Sequence, residues 1–520
     1  MFYCFQLPAH RRFLKASERL ELVQRAKLQG YLQASRHTHY GRAKQFDPTW
    51  GYERFSSEHP ITDYTYWEPH ILHQRKSREP VLTVGDTPFE PTSGSTSPRK
   101  WIPFPPAFTQ ELSLAASTWL VDLTRRYPRL SGGRQYWSLS WLPTELRQLG
   151  GSTDDTRVLP FWKRLMLSTI LAVPGAVGTL PSSEASRLAT MTYLVACRDL
   201  RLLSVWSPTF LTQLIDDISR YRKQIGYTLR KGCWPGTPNM GGISPPYSPS
   251  AATLLDNWDT AVSPEFLAKL WPELTLISAW DSSTSATWAH EVRGLFPHAS
   301  FQGKGLWATE GAITIPFEER YPLAFMSHFF EFRLLESEEI VPSWQLQIGQ
   351  RVQPILTTGS GLWRYQLQDQ LEVSGFMNEV PCLRFIGRIG GCDFVGEKLD
   401  TQIVTTVLNQ LSVNFQIRCI TLVACRGAER QRPRYVVLAE GNEQLQAKVA
   451  STLESKLLEL HHYQVAREQH QLDPAGAMVR KDALQIYSRL ASVAIDGNRK
   501  IEAILQIKEN LLRDEAVINT

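Results

Sequence analysis

The sequence predicts an α/β protein: a large N-terminal domain of mixed β-sheets and helices over residues 1–389 and a small C-terminal α/β domain over 390–520. Short β-like runs alternate with stretches of helical periodicity, the pattern of sheets covered by helices. The runs are Leu274 to Ala279, Gly305 to Ala308, His328 to Leu334, Leu371 to Val373 and Leu383 to Ile386. The text then changes at the glycine-rich stretch Gly387 to Gly396, beyond which new strand and helix patterns begin.

In chain order, the first forty residues read as helix, with Leu20, Leu22, Val23, Ala26 and Leu28 as the apolar positions. Ser207-Pro208 opens a second helix, because proline suits the first helical position and Leu211, Leu214, Ile215 and Ile218 then share a face. Ser263-Pro264 repeats the device before Phe266, Leu267 and Leu270. In the C-terminal part, Ile420 to Ala424 and Tyr435 to Leu438 read as strands. Leu445, Val449, Leu453 and Leu457 recur every four residues, the stripe of an amphipathic helix.

Composition narrows the function. At 520 residues the chain has room for two or three domains of ~150 residues. With 42% hydrophobic, 11% aromatic and 21% charged residues it has a globular composition. The net charge of +5 comes from scattered residues, which argues against nucleic acid as a partner. His10-Arg11-Arg12 reads as a solvated helix face. Seven dispersed cysteines without C-x-x-C spacing point to neither a disulfide framework nor a zinc site. The N-terminus lacks the pattern of a signal peptide, so the expected compartment is the cytoplasm. Leu165 to Ser183 is uncharged, but Pro174, Gly175 and Gly178 interrupt it, so a buried helix followed by a loop is expected rather than a membrane span.

Thr92-Ser93-Gly94-Ser95-Thr96-Ser97-Pro98-Arg99-Lys100 is the sharpest chemical signal. Small hydroxyl residues and glycine let backbone N–H groups converge on phosphate oxygens, and Lys100 supplies a compact charge beside them. By composition alone it equally describes a surface loop. It does not match G-x-x-x-x-G-K-[ST], which disfavours a P-loop fold.

The loop resembles the T-S-G-[ST]-T-G-x-P-K loop of adenylate-forming enzymes. With Trp101-Ile102-Pro103-Phe104 behind it, it is similar to that of one branch, the Gretchen Hagen family of acyl acid amido synthetases, which includes plant enzymes that conjugate auxin, jasmonate and benzoates to amino acids. Further landmarks follow in the order of that family: Tyr136-Trp137-Ser138, Ser207 to Leu211, Trp271-Pro272-Glu273-Leu274, Gly305 to Gly311, Phe330-Glu331-Phe332, Gly361 to Asp369, Phe385 to Arg388, Val395 to Leu399 and Pro433-Arg434-Tyr435. The resemblance runs from about residue 35 to 500, and the order of the motifs is more specific than any one of them.

The resemblance implies ATP and Mg²⁺ as cofactors, a carboxylic acid and the amine of an amino acid or similar acceptor as substrates, and a monomer or dimer. Ser93, Gly94, Ser95, Thr96 and Lys100 would hold phosphates, Trp307 and Thr309 would lie along adenine, Glu310 would hold the metal, Asp369 the ribose, and Arg388 would bind the nucleotide and mark the hinge. Lys500, in Gly497-Asn498-Arg499-Lys500, matches the lysine that enters the adenylation site before a small mobile domain rotates. On the residues alone, Glu310 and Asp369 also read as surface or capping groups, and Lys500 as part of a helix face. Interdomain ion pairing competes with direct roles for Arg364, Arg388 and Glu397.

Two departures from the family pattern touch nucleotide affinity: Gln368 stands where glycine precedes the ribose-binding aspartate, and Ser97-Pro98 replaces a glycine-containing turn. Transfer to a thiol such as coenzyme A and a noncatalytic binding role are the competing readings. Trp137, Trp141, Val173, Val177, Phe210 and Trp280 suit either an apolar acyl pocket or core packing. Arg134, Arg157 and Arg198 are equal candidates for an amino-acid carboxylate.

Overall fold

A computed structural model describes residues 10–85, 87–91, 100–138, 170–236, 238–388, 391, 392, 394, 395, 397, 399, 401–425, 432–468, 471–491 and 501–507. Ser93, Gly94, Ser95, Thr96, Trp141, Arg157 and Lys500 lie outside these residues. Strands β1 (Phe89–Pro91) and β2 (Trp101–Pro103) pair antiparallel, with Pro91 opposite Trp101. That register brings together the two ends of the segment carrying the phosphate-loop candidates.

A parallel sheet follows, in the order β3 (Arg134–Trp137), β4 (Leu200–Ser204), β5 (Leu276–Ala279) and β6 (Ser300–Gly303). The near-continuous apolar text of β4 and β5 suits strands covered on both faces. Leu203 and Ile277 pack with Leu188, Leu211, Ile215 and Val292 of helices Ser183–Ala196, Pro208–Arg220 and Ala286–Leu295. Leu202 and Leu276 point the other way, to Trp119, Leu120 and Leu123 on helix Pro106–Arg126. The connections return each strand in the same direction, so all four carboxyl ends lie on one edge. Ligands of α/β sheets commonly bind at such an edge.

Strands β7 (Trp307–Ala308) and β8 (Gly311–Ala312) form a tight hairpin with Thr309-Glu310 as its turn. A six-stranded antiparallel sheet is built from β9 (Phe329–Leu334), β10 (Ile340–Pro342), β11 (Arg351–Thr357), β12 (Tyr365–Gln366), β13 (Asp369–Met377) and β14 (Val380–Arg388). Helix Leu20–Ser35 packs on it through Leu28 and Leu32, alongside Trp67 and Ile71 of helix Tyr64–Ser77.

The last sheet runs β17 (Gly476–Arg480), β16 (Arg434–Glu440), β15 (Arg418–Cys425), β18 (Ile504–Ile507). Helices Thr401–Phe415 and Gln446–Leu458 cover one face, the second through Val449, Leu453 and Leu457 as its periodicity predicts. Helix Ala483–Leu490 covers the other face, joined by Trp288 from the helix Ala286–Leu295. The molecule is an α/β protein with parallel, antiparallel and mixed sheets, as the interleaved runs predict.

Several local expectations are corrected. The N-terminal helix is broken: residues 10–16 are helical, Leu20–Ser35 follow, and His39–Ala43 form a further short helix. Leu22 is exposed, because Leu20, Gln24, Leu28, Tyr31 and Leu32 form the buried stripe. His10 is buried rather than solvated: its ring stacks on Phe317 at 5.1 Å and Arg125 Nη1 lies 2.7 Å from its Nε2. Gly305 and Leu306 precede β7 rather than belong to it. The described part of Leu165 to Ser183 is bridge, bend and a short 3-10 turn at Gly175–Thr179, and no helix among the described residues is long and apolar enough to cross a membrane.

Candidate active site

The hairpin of β7 and β8 leaves Glu310 at its tip, facing the start of the six-stranded sheet. Tyr365 on β12 donates its hydroxyl to Glu310 Oε1 at 3.3 Å. Asp369, the first residue of β13, stands opposite Arg388, the last of β14, and Arg388 Nε lies 3.2 Å from Asp369 Oδ1. The Arg388 guanidinium remains largely open to solvent while Asp369 is buried.

The electrostatics tie these groups together. Burial pushes the Glu310 carboxyl above its ordinary value, Arg388 and Lys100 pull it down, and Asp369 pushes it up. Arg388 is raised chiefly by Asp369, and then by Glu310 and Glu502. Burial and the Glu310 charge push the Tyr365 phenol up. Five predicted or neighbouring residues thus lie in one another's field: Lys100, Glu310, Tyr365, Asp369 and Arg388.

Lys100 reaches this group from the other side of the loop segment. Its Nζ lies 5.4 Å from the centre of the Tyr64 ring, and Tyr64 Oη accepts the Trp101 N–H at 2.8 Å. Glu502 comes from the segment entering β18, where its N–H donates to Tyr487 Oη at 3.0 Å. Its effect on Arg388 puts the chain two residues beyond Lys500 beside the site. Trp307 is half-buried, 6.3 Å from the Trp206 ring, and Thr309 shares the hairpin turn with Glu310.

Two residues weighed as interdomain ion pairs do something else. Arg364 forms a forked pair with Glu331, Nε to Oε2 at 2.9 Å and Nη2 to Oε1 at 2.8 Å, and Nη1 donates to the carbonyls of Ser56 and His59. Both side chains are buried, so this pair ties β9 to the chain before β12. Glu397 accepts the N–H groups of Phe394 and Val395 and the Tyr435 hydroxyl, all within the C-terminal part of the chain.

The apolar candidates divide. Val173, Val177 and Phe210 pack in the helix-covered core beside the parallel sheet, so core packing is their role. Trp137 and Trp280 lie at the carboxyl ends of β3 and β5, Trp280 5.8 Å from Trp206. Sequence reasoning missed the lysine in their midst. Lys304, just past β6, is buried, donates to Ser204 Oγ at 2.7 Å and lies 4.4, 4.9 and 5.7 Å from the rings of Trp206, Trp119 and Trp137. Its flanking Gly303 and Gly305 were the only local signal. Arg134 and Arg198 sit at the opposite, amino edge of the sheet. Arg134 is 3.9 Å from Asp199, and Arg198 Nη1 donates to the Leu270 carbonyl at 2.9 Å, so neither faces the site.

The GH3 family N-terminal domain matches residues 9–301, and the GH3 family central domain matches residues 321–388. Over 172 residues the chain is 26% identical to the indole-3-acetic acid-amido synthetase GH3.15 of Arabidopsis thaliana, a stretch that covers 29% of this chain and 29% of that relative. In three dimensions it resembles the AtGH3.15 acyl acid amido synthetase in complex with 2,4-DB, with a TM-score of 0.83 at 17% identity over 98% of this chain and 96% of that one. A 2-hydroxyisobutyryl-CoA ligase in its postadenylation state gives a TM-score of 0.52 at 13% identity over 97% and 93% of the two chains. At these identities the likeness is one of fold. The family domains nevertheless cover more than half of the sequence, and the chain belongs to the GH3 family, built on the adenylate-forming fold.

Proposed function

We propose that this protein is an ATP-dependent acyl acid amido synthetase. A carboxylate is a poor electrophile because oxide is a poor leaving group. Attack of the substrate carboxylate on the α-phosphorus of ATP releases pyrophosphate and leaves an acyl-adenylate. The acceptor amine, that of an amino acid, then attacks the acyl carbon, and AMP departs as the amide forms. The first step develops charge rather than demanding covalent help from the protein, so catalysis rests on positioned cations and hydrogen-bond donors.

The observation that carries the reading is the convergence of Lys100, Glu310, Tyr365, Asp369 and Arg388 with the chain beside Glu502. Ser93, Gly94, Ser95, Thr96 and Lys100 hold the β- and γ-phosphates, Trp307 and Thr309 flank the adenine, and Asp369 takes the ribose hydroxyls with Arg388 beside it. Lys500 neutralises charge between the carboxylate and the α-phosphate. Magnesium is commonly bound through one or two carboxylates with phosphates and water completing the shell. Glu310, at the hairpin tip, fits that donor set, and the metal would supply charge neutralisation on the phosphates. Tyr365 orients the Glu310 carboxylate by its hydrogen bond.

The same reading divides the chain into a large domain, residues 1–389, and a small one, 390–520. Rotation about the segment following Arg388 withdraws Lys500 after the first step and admits the amine. The protein works in the cytoplasm.

The test is pyrophosphate release from ATP and Mg²⁺ with a panel of aryl and aliphatic acids, with and without pooled amino acids, on the native chain and on Lys100→Ala and Asp369→Ala. Acid-dependent release that is lost in both variants, with amide product by mass, supports the synthetase. Thioester formation with coenzyme A in place of amide moves the acceptor to a thiol. ATP binding without release under any acid overturns the enzymatic reading.

A further inference from the structure

Glu111 and His328 are 217 positions apart and form a buried pair beneath the hairpin that carries Glu310. Glu111 lies on the helix Pro106–Arg126, and His328 immediately precedes β9. His328 Nδ1 is 3.0 Å from Glu111 Oε2, and its Nε2 accepts the Ala312 N–H at 3.1 Å. An amide N–H can only donate, so Nε2 presents its lone pair and Nδ1 carries the proton toward the carboxylate. The same Oε2 accepts the Gly359 N–H at 3.0 Å. One carboxylate therefore fixes two backbone segments, one directly and one through the imidazole.

Those segments are the two that frame Glu310. Ala312 is two residues beyond it on β8. Gly359 begins the turn that leads to Tyr365, whose hydroxyl donates to Glu310. A second observation points the same way: glycine stands beside one contact and at the other, where a Cβ would crowd the pair. A Cβ on Gly311 would lie 3.0 Å from His328 Nε2 and 2.8 Å from Leu356 Cδ2, and one on Gly359 would lie 2.7 Å from Glu111 Oε1. The backbone rests directly against the pair, with no side chain between. The surrounding groups close the arrangement: Ser327 Oγ donates to the Glu111 carbonyl at 2.9 Å, and the Tyr31 hydroxyl, beside Glu111, donates to the Ser327 carbonyl at 3.1 Å.

We propose that Glu111 and His328 are positioning residues, a carboxylate–imidazole strut that holds the Glu310 hairpin and the Tyr365 strand in the geometry needed for nucleotide with its magnesium. This rests on the role given to Glu310 above. Removing the imidazole lets the hairpin shift without touching any group that meets substrate, so the loss falls on binding of the metal–nucleotide complex and leaves acid recognition unchanged. Partners of this outer kind commonly change metal affinity or activity by ~10–100-fold.

The test measures ATP binding by calorimetry across a magnesium series, and steady-state constants, for the native chain, His328→Phe, His328→Gln and Glu111→Leu. Glutamine at 328 can accept the Ala312 N–H and donate to Glu111, so His328→Gln stays near native. His328→Phe raises the magnesium requirement for ATP binding and the KM for ATP by ~10-fold or more, with the KM for the acid unchanged. Nitrogen-15 NMR of labelled histidine, with the His328→Gln spectrum as the subtraction, finds the Nδ1–H tautomer at this site. If His328→Phe does not fold, Glu111→Leu carries the test, since it removes the one oxygen that accepts from both His328 and Gly359 and raises the magnesium requirement in the same way. A folded His328→Phe with native magnesium dependence, or the Nε2–H tautomer, overturns the strut. A native chain that binds no ATP overturns the functional reading instead.

Discussion

Asp369 and Arg388 face each other across the antiparallel ladder of β13 and β14, at the point where the chain leaves the large sheet, with Arg388 Nε 3.2 Å from Asp369 Oδ1. The pair joins the proposed ribose site to the proposed hinge in a single contact. Because the arginine is solvent-exposed, the pair contributes little to stability, ~0–1 kcal/mol, so its expected role lies in the site. Arg388→Ala is expected to keep the native melting temperature and to weaken ATP binding in calorimetry by about tenfold, the scale of one lost charge-assisted contact.

Glu310 is held above its ordinary value by burial, which gives a stability signature. A raised carboxyl pKa means that the folded state takes up a proton more readily than the unfolded chain. Stability from this group is therefore present at low pH and is lost as pH rises through the raised value. Glu310→Gln should be more stable than the native chain at pH 7 and should lose that advantage near pH ~3, where the carboxyl is neutral in both states. Urea unfolding at the two pH values reads the difference. The same variant should lower acid-dependent pyrophosphate release by ~100-fold, the usual cost of one electrostatic group at a phosphoryl centre.

Arg364 adopts a left-handed backbone, φ +47°, to bring its guanidinium onto Glu331 and the two carbonyls behind it. Arg364→Ala leaves the Glu331 carboxylate buried and unpaired, at a cost of ~3–5 kcal/mol. The double variant Arg364→Ala, Glu331→Gln should recover part of that loss, because the stranded charge is gone. Denaturant midpoints of the four proteins in the cycle measure the coupling.

His59 sits among Tyr40, Phe46, Phe55 and Trp67, and burial lowers it to about 4. Its Nδ1 faces the Pro60 carbonyl at 3.0 Å and its Nε2 faces the Tyr40 hydroxyl at 2.7 Å. A depressed histidine contributes stability that is present above the unfolded value of 6.5 and is lost as pH falls toward about 4. His59→Gln should flatten the acid limb of the stability curve between those limits by up to ~3 kcal/mol. An equally steep limb in the variant would assign the acid sensitivity elsewhere.

Arg418 on β15 bridges Glu440 on β16 and Glu291 on the helix Ala286–Leu295, and its guanidinium lies 4.6 Å from the Trp288 ring. Trp288 is buried against Ile420, Val423 and Val436. If the proposed rotation takes place, this contact must break. Arg418→Ala should then raise susceptibility to limited proteolysis after Arg388 without lowering the stability of the large domain, as read by fragment mass and by the melting profile.

Much of this protein was legible along the chain. Pro208 and Pro264 fix φ for a first helical turn, and the helices begin there. Val449, Leu453 and Leu457 form a buried stripe because four-residue spacing places them on one face. The segment Trp307 to Gly311 was recognisable by its resemblance to a family motif that is complete within a few residues, and it folds as one tight hairpin. Each of these features depends on neighbours in sequence, so the sequence by itself determined them.

Tertiary structure decided the rest, because the remaining interactions join residues hundreds of positions apart. Arg364 and Glu397 were ambiguous until their partners, Glu331 and Tyr435, were seen. Lys304 could not be placed among Trp119, Trp137 and Trp206 from its own surroundings. His328 had no pattern to mark it, and the close approach at Gly311 and Gly359 is set by side chains distant in sequence. Local conformation follows from short-range sterics, which a sequence displays. Burial, charge pairing and the choice between core and site follow from packing across the fold, which only the closed structure determines.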